Sequence, residues 1–371
     1  MKISCEKKEL QNAVSNVSRA APSKSPIAAM EGILFEAEEA SLKLTAYDTR
    51  IGIYTSIDAQ IDEGGRMVLP ARFLMDLVRR LPDGIVFIES DEGFQTKIRC
   101  GRTELQIMGY DPEEFPALMR VDEIQSIRIP ETLLKDMINQ TIFAVATNES
   151  RPIYTGILFE VGEKDLTLVA VDGYRLAKRS ENMEGSGISP CRFVIPGGSL
   201  SEVERLCSSE GDGAVTISLG ERFASFEIGR TVLITRRLEG EFMNYKKSIP
   251  SNFRYEVVVE REELMSVIDR VALVIKDKQN SPIRMIVGDG SMEVFCTTGF
   301  GHAEDTCLCE GNGEGIKIGF NDRYFMDALK AANEEKLRIS MNTPSAPIII
   351  EASEGGKYLY MVLPVRLREN E

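Results

Sequence analysis

The sequence predicts an α+β fold assembled from three tandem copies of one domain, and three observations predict it. Residues 32–48 (GILFEAEEASLKLTAYD) and 156–172 (GILFEVGEKDLTLVAVD) are identical at ten of 17 positions, in a segment too varied for compositional bias. A strand followed at once by a helix opens each copy at the same spacing. Every copy then continues in short apolar alternations broken by tight turns, which is how half-buried antiparallel strands read.

The openings are ISCEKKELQNAVSNV from Ile3, IRIPETLLKDMINQT from Ile127 and VVVEREELMSVIDRV from Val257. In each, the strand apolar residue precedes a helical leucine by seven positions (Leu10, Leu134, Leu264), and Val14, Ile138 or Ile268 follows four residues later, so one helical face is apolar. The hairpin comes next, its third and weakest copy starting at Ile283 as IRMIVGDGSMEVFCTT. A second strand and helix follow: VLPARFLMDLVRRL from Val68, VIPGGSLSEVERL from Val194 and IGFNDRYFMDALKAA from Ile318. Further alternations such as TVLITRRL and YLYMVLPVRL come later in the copies. The period is about 125 residues. The polar stretches VDEIQS and SNFRYE place the boundaries, giving domains 1–125, 126–252 and 253–371. A tandem array of sheets leaves an unpaired edge at each end. Joining two chains head to tail covers both edges and closes a ring when the rotation permits.

A chain of 371 residues is longer than a single core supports, in line with two or three domains. Apolar residues at 43% and charged residues at 27% are ordinary for a globular protein and exclude a disordered chain. No apolar run reaches the roughly 20 residues that cross a bilayer, and the opening MKISCEKKEL lacks a signal-peptide core, so a cytoplasmic protein with no membrane partner is expected. Seven scattered cysteines and a single histidine, His302, in the polar turn segment FGHAED, argue for reduced thiols and against a metal site. No cofactor is expected either. There is no GxxxxGK[ST] loop, no GxGxxG after a strand, no HExxH and no GxSxG, and the adjacent acidic pairs Asp62-Glu63 and Glu113-Glu114 read as solvated, so an enzyme is the weaker reading.

The net charge of −14 argues at first against a nucleic-acid partner. Its distribution argues otherwise. The helical stretches 1–24, 66–80, 128–151, 192–206, 261–278 and 317–330 carry a net +7, leaving −21 for the remainder. Two readings fit: ordinary solvated helix faces, or helices that meet DNA phosphates behind an acidic outer wall.

VDGYRLA at 171–177, LEGEFMNYKKSIP at 238–250, IGFNDRYFMDAL at 318–329 and MVLPVRL at 361–367 occur in this order along the whole threefold repeat. Together they resemble the beta sliding clamps of bacterial DNA polymerase III. The resemblance implies a head-to-tail homodimer of six domains, with twelve helices inside and a continuous sheet outside, encircling double-stranded DNA without sequence preference. It implies no catalysis. The expected partners are the replicative DNA polymerase, the clamp-loader complex and repair proteins, each docking a short peptide into a pocket between the second and third copies. Carried over by motif, that pocket comprises Tyr154, Val171, Gly173, Tyr174, Arg175, Leu176, Met243, Ser248, Tyr324, Val362, Leu363, Pro364, Val365, Arg366 and Leu367. Arg175 and Arg366 are expected at its rim. VDGYRLA also reads simply as a strand, a glycine turn and a strand, and a peptide-binding scaffold without DNA would keep the same pocket.

Expected phosphate contacts are Lys24, Arg72, Arg79, Arg80 and Arg151; Arg72 and Arg79, seven apart, share one helix face. By the same resemblance, Leu105 and Ile107 form an apolar edge for the dimer, and Val274 and Ile275 end the helix that faces it. Three features depart from the family pattern: Gly197 and Gly198 where basic residues are common, Met243 where proline is common, and the extra residues Arg368 to Glu371 after the tail.

Overall fold

A computed structural model describes residues 1–183, 189–276 and 281–367. Among them are six α-helices, all where the apolar periodicity puts them: α1 (Lys7–Val17), α2 (Ala71–Arg80), α3 (Glu131–Asn139), α4 (Gly197–Leu206), α5 (Arg261–Ala272) and α6 (Asp322–Ala331). The repeated leucines Leu10, Leu134 and Leu264 and their partners Val14, Ile138 and Ile268 are all buried. Each helix follows directly on a strand, apart from the single capping residue Asn321 before α6.

All described strand pairings are antiparallel, and they group the chain into two compact units. The first unit holds residues 1–135 and 198–237. It contains a five-stranded sheet ordered 60–63, 2–6, 85–90, 95–100, 103–108, and an eight-stranded sheet ordered 125–130, 214–219, 223–228, 231–236, 51–58, 41–47, 32–38, 65–70. The second unit holds residues 136–197 and 238–371, and its described strands form one twelve-stranded sheet. The middle copy is therefore divided. Its strand Thr231–Arg236 pairs with Ile51–Asp58 of the first copy, and its strand Arg175–Asn182 pairs with Tyr358–Val362 of the third. The final strand is thus flanked on both sides rather than lying at an edge.

Two of the strand edges left open among the described residues matter for association, one in each unit. Thr103–Met108 ends the five-stranded sheet. In the long strand His302–Asn312, the part from His302 to Leu308 pairs with Ser291–Thr297, and only Cys309–Asn312 turns to the strand Tyr255–Glu260. His302 consequently opens a strand, opposite Thr297, instead of sitting in a turn. Six of the seven cysteines are buried, and Cys191 is half-buried. Among the described residues, no helix is long and apolar enough to cross a membrane. Residues 368–371, the departure at the C-terminus, lie outside the described residues.

Glycine starts the first hairpin strand in both strong copies because another backbone passes against it. A Cβ at Gly156 would lie 2.4 Å from the Ile195 carbonyl oxygen, and one at Gly32 would lie 2.9 Å from that of Leu69. Gly156→Ala is expected to destabilise the protein by about 1 to 3 kcal/mol through this overpacking, measured as a lower denaturant midpoint with unchanged m-value; an unchanged midpoint would show that the strand moves aside freely.

Candidate functional site

The expected pocket residues lie entirely within the second unit. The hairpin Asp165–Val171 and Arg175–Asn182 is closed by an Asx turn: Asp172 Oδ1 accepts from the Tyr174 N–H at 2.8 Å and the Arg175 N–H at 3.0 Å. Gly173 adopts φ +95°, which the turn needs and glycine permits. The result pushes Tyr174 outward, 61% exposed, while Val171 and Leu176 on either side of the turn are buried.

The C-terminal tail is tied to the same turn. After Val362, which pairs with Arg175, the Leu363 N–H donates to the Tyr174 carbonyl at 2.9 Å and the Val365 N–H donates to the Gly319 carbonyl at 2.8 Å. A Cβ at Gly319 would sit 2.5 Å from Leu367 Cδ2, so the absent side chain is what lets the tail lie close. Just beyond, Asn321 caps α6 by accepting from the Tyr324 N–H at 3.1 Å. Tyr324 stacks on Tyr174 with centroids 6.0 Å apart. Leu363 is exposed beside this pair, Pro364 and Val365 are half-buried, and Arg366 points into solvent.

Arg175 does not stand free at the rim. Its guanidinium meets Asp172 at 2.9 Å and Asp327 at 2.6 Å and lies over the Tyr324 ring at 4.5 Å, with its side chain only 11% exposed. A guanidinium held by two carboxylates positions the tyrosines and has little capacity left for a ligand. Asp172 and Asp327 were not singled out from the sequence, although Asp327 lies three residues after Tyr324 on one helix face.

The floor is an apolar cluster of Ile153, Leu158, Val169, Val171, Leu176, Val194, Phe242, Tyr245, Ile349 and Met361, with Tyr154 and Met243 packed at its margin. Tyr154 meets Phe242 edge to face at 5.5 Å. A strap through Phe242 and Tyr245 covers the cluster, and the Ser248 N–H donates to the Tyr245 carbonyl at 2.9 Å to end its turn. The Tyr245 hydroxyl donates to Glu160 at 2.7 Å, and Lys246 and Arg192 approach the same carboxylate at 3.0 and 3.4 Å. Burial pushes the Glu160 carboxyl up, but the hydrogen bonds from Tyr245 and Lys246 and the nearby cations outweigh it and hold the group below its ordinary value. Phe242 and Tyr245, both buried, were missed as site residues; an aromatic pair inside an otherwise polar linker was the signal available.

The expected phosphate contacts are exposed. Arg72, Arg79 and Arg80 occupy the face of α2 opposite its buried Leu74, Leu77 and Val78. Lys24 lies in the segment after α1, and none of these four is in an ion pair with a described residue. They belong to the first unit, whereas Arg151 belongs to the second, where its guanidinium lies 5.8 Å from the Tyr154 ring. Leu105 and Ile107 are half-buried on the edge strand Thr103–Met108, beside Met108, which is exposed. Val274 and Ile275 do not end a helix: α5 stops at Ala272, and both lie in the turn beyond it. In that region Leu273 is 77% exposed, and Phe300, also exposed, receives the Lys276 ammonium over its ring at 3.9 Å. Neither was expected from the sequence.

Three family profiles of the DNA polymerase III beta subunit match in order: its N-terminal domain over residues 1–119, its central domain over 128–244 and its C-terminal domain over 246–366. The chain is 32% identical to a beta sliding clamp of Synechocystis, an alignment covering 99% of this chain and 100% of that one. Among solved structures it is similar to the DNA polymerase sliding clamp of Bacillus subtilis, with a TM-score of 0.94, 30% identity and coverage of 99% and 100%. The DNA polymerase III beta subunit of Thermotoga maritima is similar too, with a TM-score of 0.92, 27% identity and the same coverage.

The strap should be pH-sensitive. Glu160 titrates below the ordinary 4.5 when folded, so its contribution is complete above that pH and is lost as pH falls through the depressed folded value. Tyr245→Phe is expected to cost about 1.5 to 3 kcal/mol at pH 7, the range for a hydrogen bond to a charged group. In chemical denaturation the gap between the two proteins should narrow below pH 4.5. A gap independent of pH would remove Glu160 from the explanation.

Proposed function

We propose that this chain, which belongs to the DNA polymerase III beta subunit family of beta sliding clamps, works as a homodimeric ring that encircles duplex DNA and tethers its partners through the pocket around Tyr174 and Tyr324. A sliding clamp is a processivity factor, and family membership of three clamp domains in order along the chain is the observation that carries the reading. The domains are taken as 1–125, 126–252 and 253–371. The protein acts without catalysis and in the cytoplasm.

Dimer closure would join the unpaired edge Thr103–Met108 of one chain to the edge at His302–Leu308 of the other. Leu105, Ile107, Val274 and Ile275 would supply apolar cover, and the exposed Met108, Leu273 and Phe300 would add to it. Strand edges with exposed apolar neighbours are what such an association relieves. Lys24, Arg72, Arg79, Arg80 and Arg151 would meet phosphates, contacts that carry no sequence information and so permit sliding. The acidic remainder of the chain repels DNA from other surfaces.

The pocket would take the peptides of the replicative polymerase, the clamp loader and repair proteins. Its centre is the exposed Tyr174 and Leu363 with the half-buried Tyr324, beside an apolar floor, and a small group of anchors over a desolvated floor suits a hot spot. A short peptide must be ordered as it docks, so affinities near micromolar, about 8 kcal/mol, are expected. Two pockets per ring then favour partners with two contacts through effective concentration. Weak contacts let partners exchange while the topological link stays on DNA.

Loaded on nicked circular DNA, the protein should remain bound through a high-salt wash and be released when the circle is linearised. Replacing Val274 and Ile275 by aspartate should give folded monomers by light scattering and abolish that retention. Retention on linear DNA with free ends would point to surface binding. Deleting residues 363–371 should weaken a clamp-binding peptide at least about tenfold, equivalent to roughly 1.4 kcal/mol, while leaving the dimer intact. Unchanged affinity by calorimetry would put the peptide site elsewhere.

A further inference from the structure

The turn and strap that build the pocket in the second unit have counterparts in the first, at the junction of copies one and two. Asp48 Oδ1 accepts from the N–H groups of Arg50 at 2.9 Å and Ile51 at 2.8 Å, as Asp172 does in its own turn. Thr49 adopts φ +74° where Gly173 has +95°. The registers agree: Gly52 pairs with Tyr47 and Ile234, as Leu176 pairs with Val171 and Met361. Leu34, Val68 and Phe115 gather in a small cluster as Leu158, Val194 and Phe242 do. Glu36 stands two residues after Leu34, as Glu160 stands two after Leu158.

The straps differ at one step. Three residues after Phe242, Tyr245 inserts its ring into the apolar cluster and donates its hydroxyl to Glu160 at 2.7 Å. Three residues after Phe115 comes Leu118, which lies instead over Gly52, where a Cβ would meet its Cδ1 at 2.1 Å. Beneath the segment Phe115–Glu123 there remains a cavity of about 700 Å³, lined among others by Glu36, Lys43, Thr45, Tyr54 and Arg66. Thr45 takes the register position of Val169, opposite Leu34. It is 3% exposed, yet its Oγ1 has no hydrogen-bond partner among the described residues. A buried hydroxyl without a partner costs free energy that a ligand able to bond it would recover.

We propose that this cavity binds a phenolic side chain supplied in trans, the tyrosine of a partner peptide, in the role that Tyr245 plays within the chain at the second strap. The ring occupies the volume that Leu118 leaves open, the phenol donates to the Glu36 carboxylate, and the Thr45 hydroxyl donates to the phenol oxygen. Glu36 is placed for this: Lys43 lies 3.5 Å and Arg66 3.3 Å from its carboxylate, as Lys246 and Arg192 lie beside Glu160. The volume exceeds one side chain and lies in the range of small-ligand sites, so the flanking main chain of the peptide is accommodated as well.

N-acetyltyrosinamide and N-acetylphenylalaninamide, titrated against the full chain with ligand-observed NMR, test this directly. The tyrosine probe should bind at least about tenfold tighter than the phenylalanine probe, the value of a hydrogen bond to a charged group. Glu36→Ala, which removes the acceptor, should abolish that preference, and Thr45→Val, which changes little volume, should narrow it. Leu118→Tyr should fill the cavity from within and displace the probe. Deletion of residues 363–371 should leave the preference in place. Equal binding of the two probes to the unaltered protein, a preference that survives Glu36→Ala, or one lost only on deletion of the tail would each overturn the assignment.

Discussion

Every backbone N–H and C=O in a strand must find a partner, and a repeat that ends in an open strand cannot satisfy that alone. In this chain the demand is met by neighbouring repeats. Thr231–Arg236 pairs with Ile51–Asp58, and Arg175–Asn182 pairs with Tyr358–Val362, so the eight- and twelve-stranded sheets run through the boundaries that sequence similarity draws. The middle copy is shared between two compact units as a result. The edge at Thr103–Met108 in one unit and the half-open stretch His302–Leu308 in the other are left without such a neighbour, which is the physical reason for expecting association with another chain.

The site in the second unit is a by-product of the same pairing. The strand that crosses the junction starts at an Asx turn and is paired by the last strand of the protein, so the turn and the C-terminal tail are brought together. Gly319 then admits the tail, and Arg175, held between Asp172 and Asp327, sets the stacked tyrosines. None of these contacts asks for reactive chemistry. They produce an aromatic and apolar surface whose tyrosines are held in place by the Arg175 ion pairs.

Repetition also gives each junction a comparison within the same molecule. Both have an Asp-led turn, a phenylalanine strap and a strand glutamate, but a tyrosine completes the second and a leucine the first. Two differences, Leu118 for Tyr245 and Thr45 for Val169, accompany the change from a filled cluster to a cavity with a stranded hydroxyl. Duplicated domains retain their backbone registers because a one-residue slip would turn every side chain over, whereas strap side chains are free to diverge.

The sequence by itself determined the elements. Apolar spacing placed all six helices, and ten identities in 17 positions exposed the repeat, because helix and hairpin periodicities are local properties of the chain. Its motifs in the turn and tail also pointed to residues that the structure brings together, Tyr174 with Tyr324 and Leu363. The tertiary structure decided what those motifs could not. Arg175 reads as a rim cation until Asp327, 152 residues away, is seen to hold it. Val274 and Ile275 continue the apolar pattern of α5, yet the helix stops at Ala272, where the Leu273 N–H donates to the Arg270 carbonyl in a tighter turn. Phe242 and Tyr245 lie in a linker with no periodicity, so only the sheet beneath them shows that they are core. Contacts between residues distant in sequence depend on which strands pair across the junctions, and the long-range closure that selects those pairs leaves no local pattern to read.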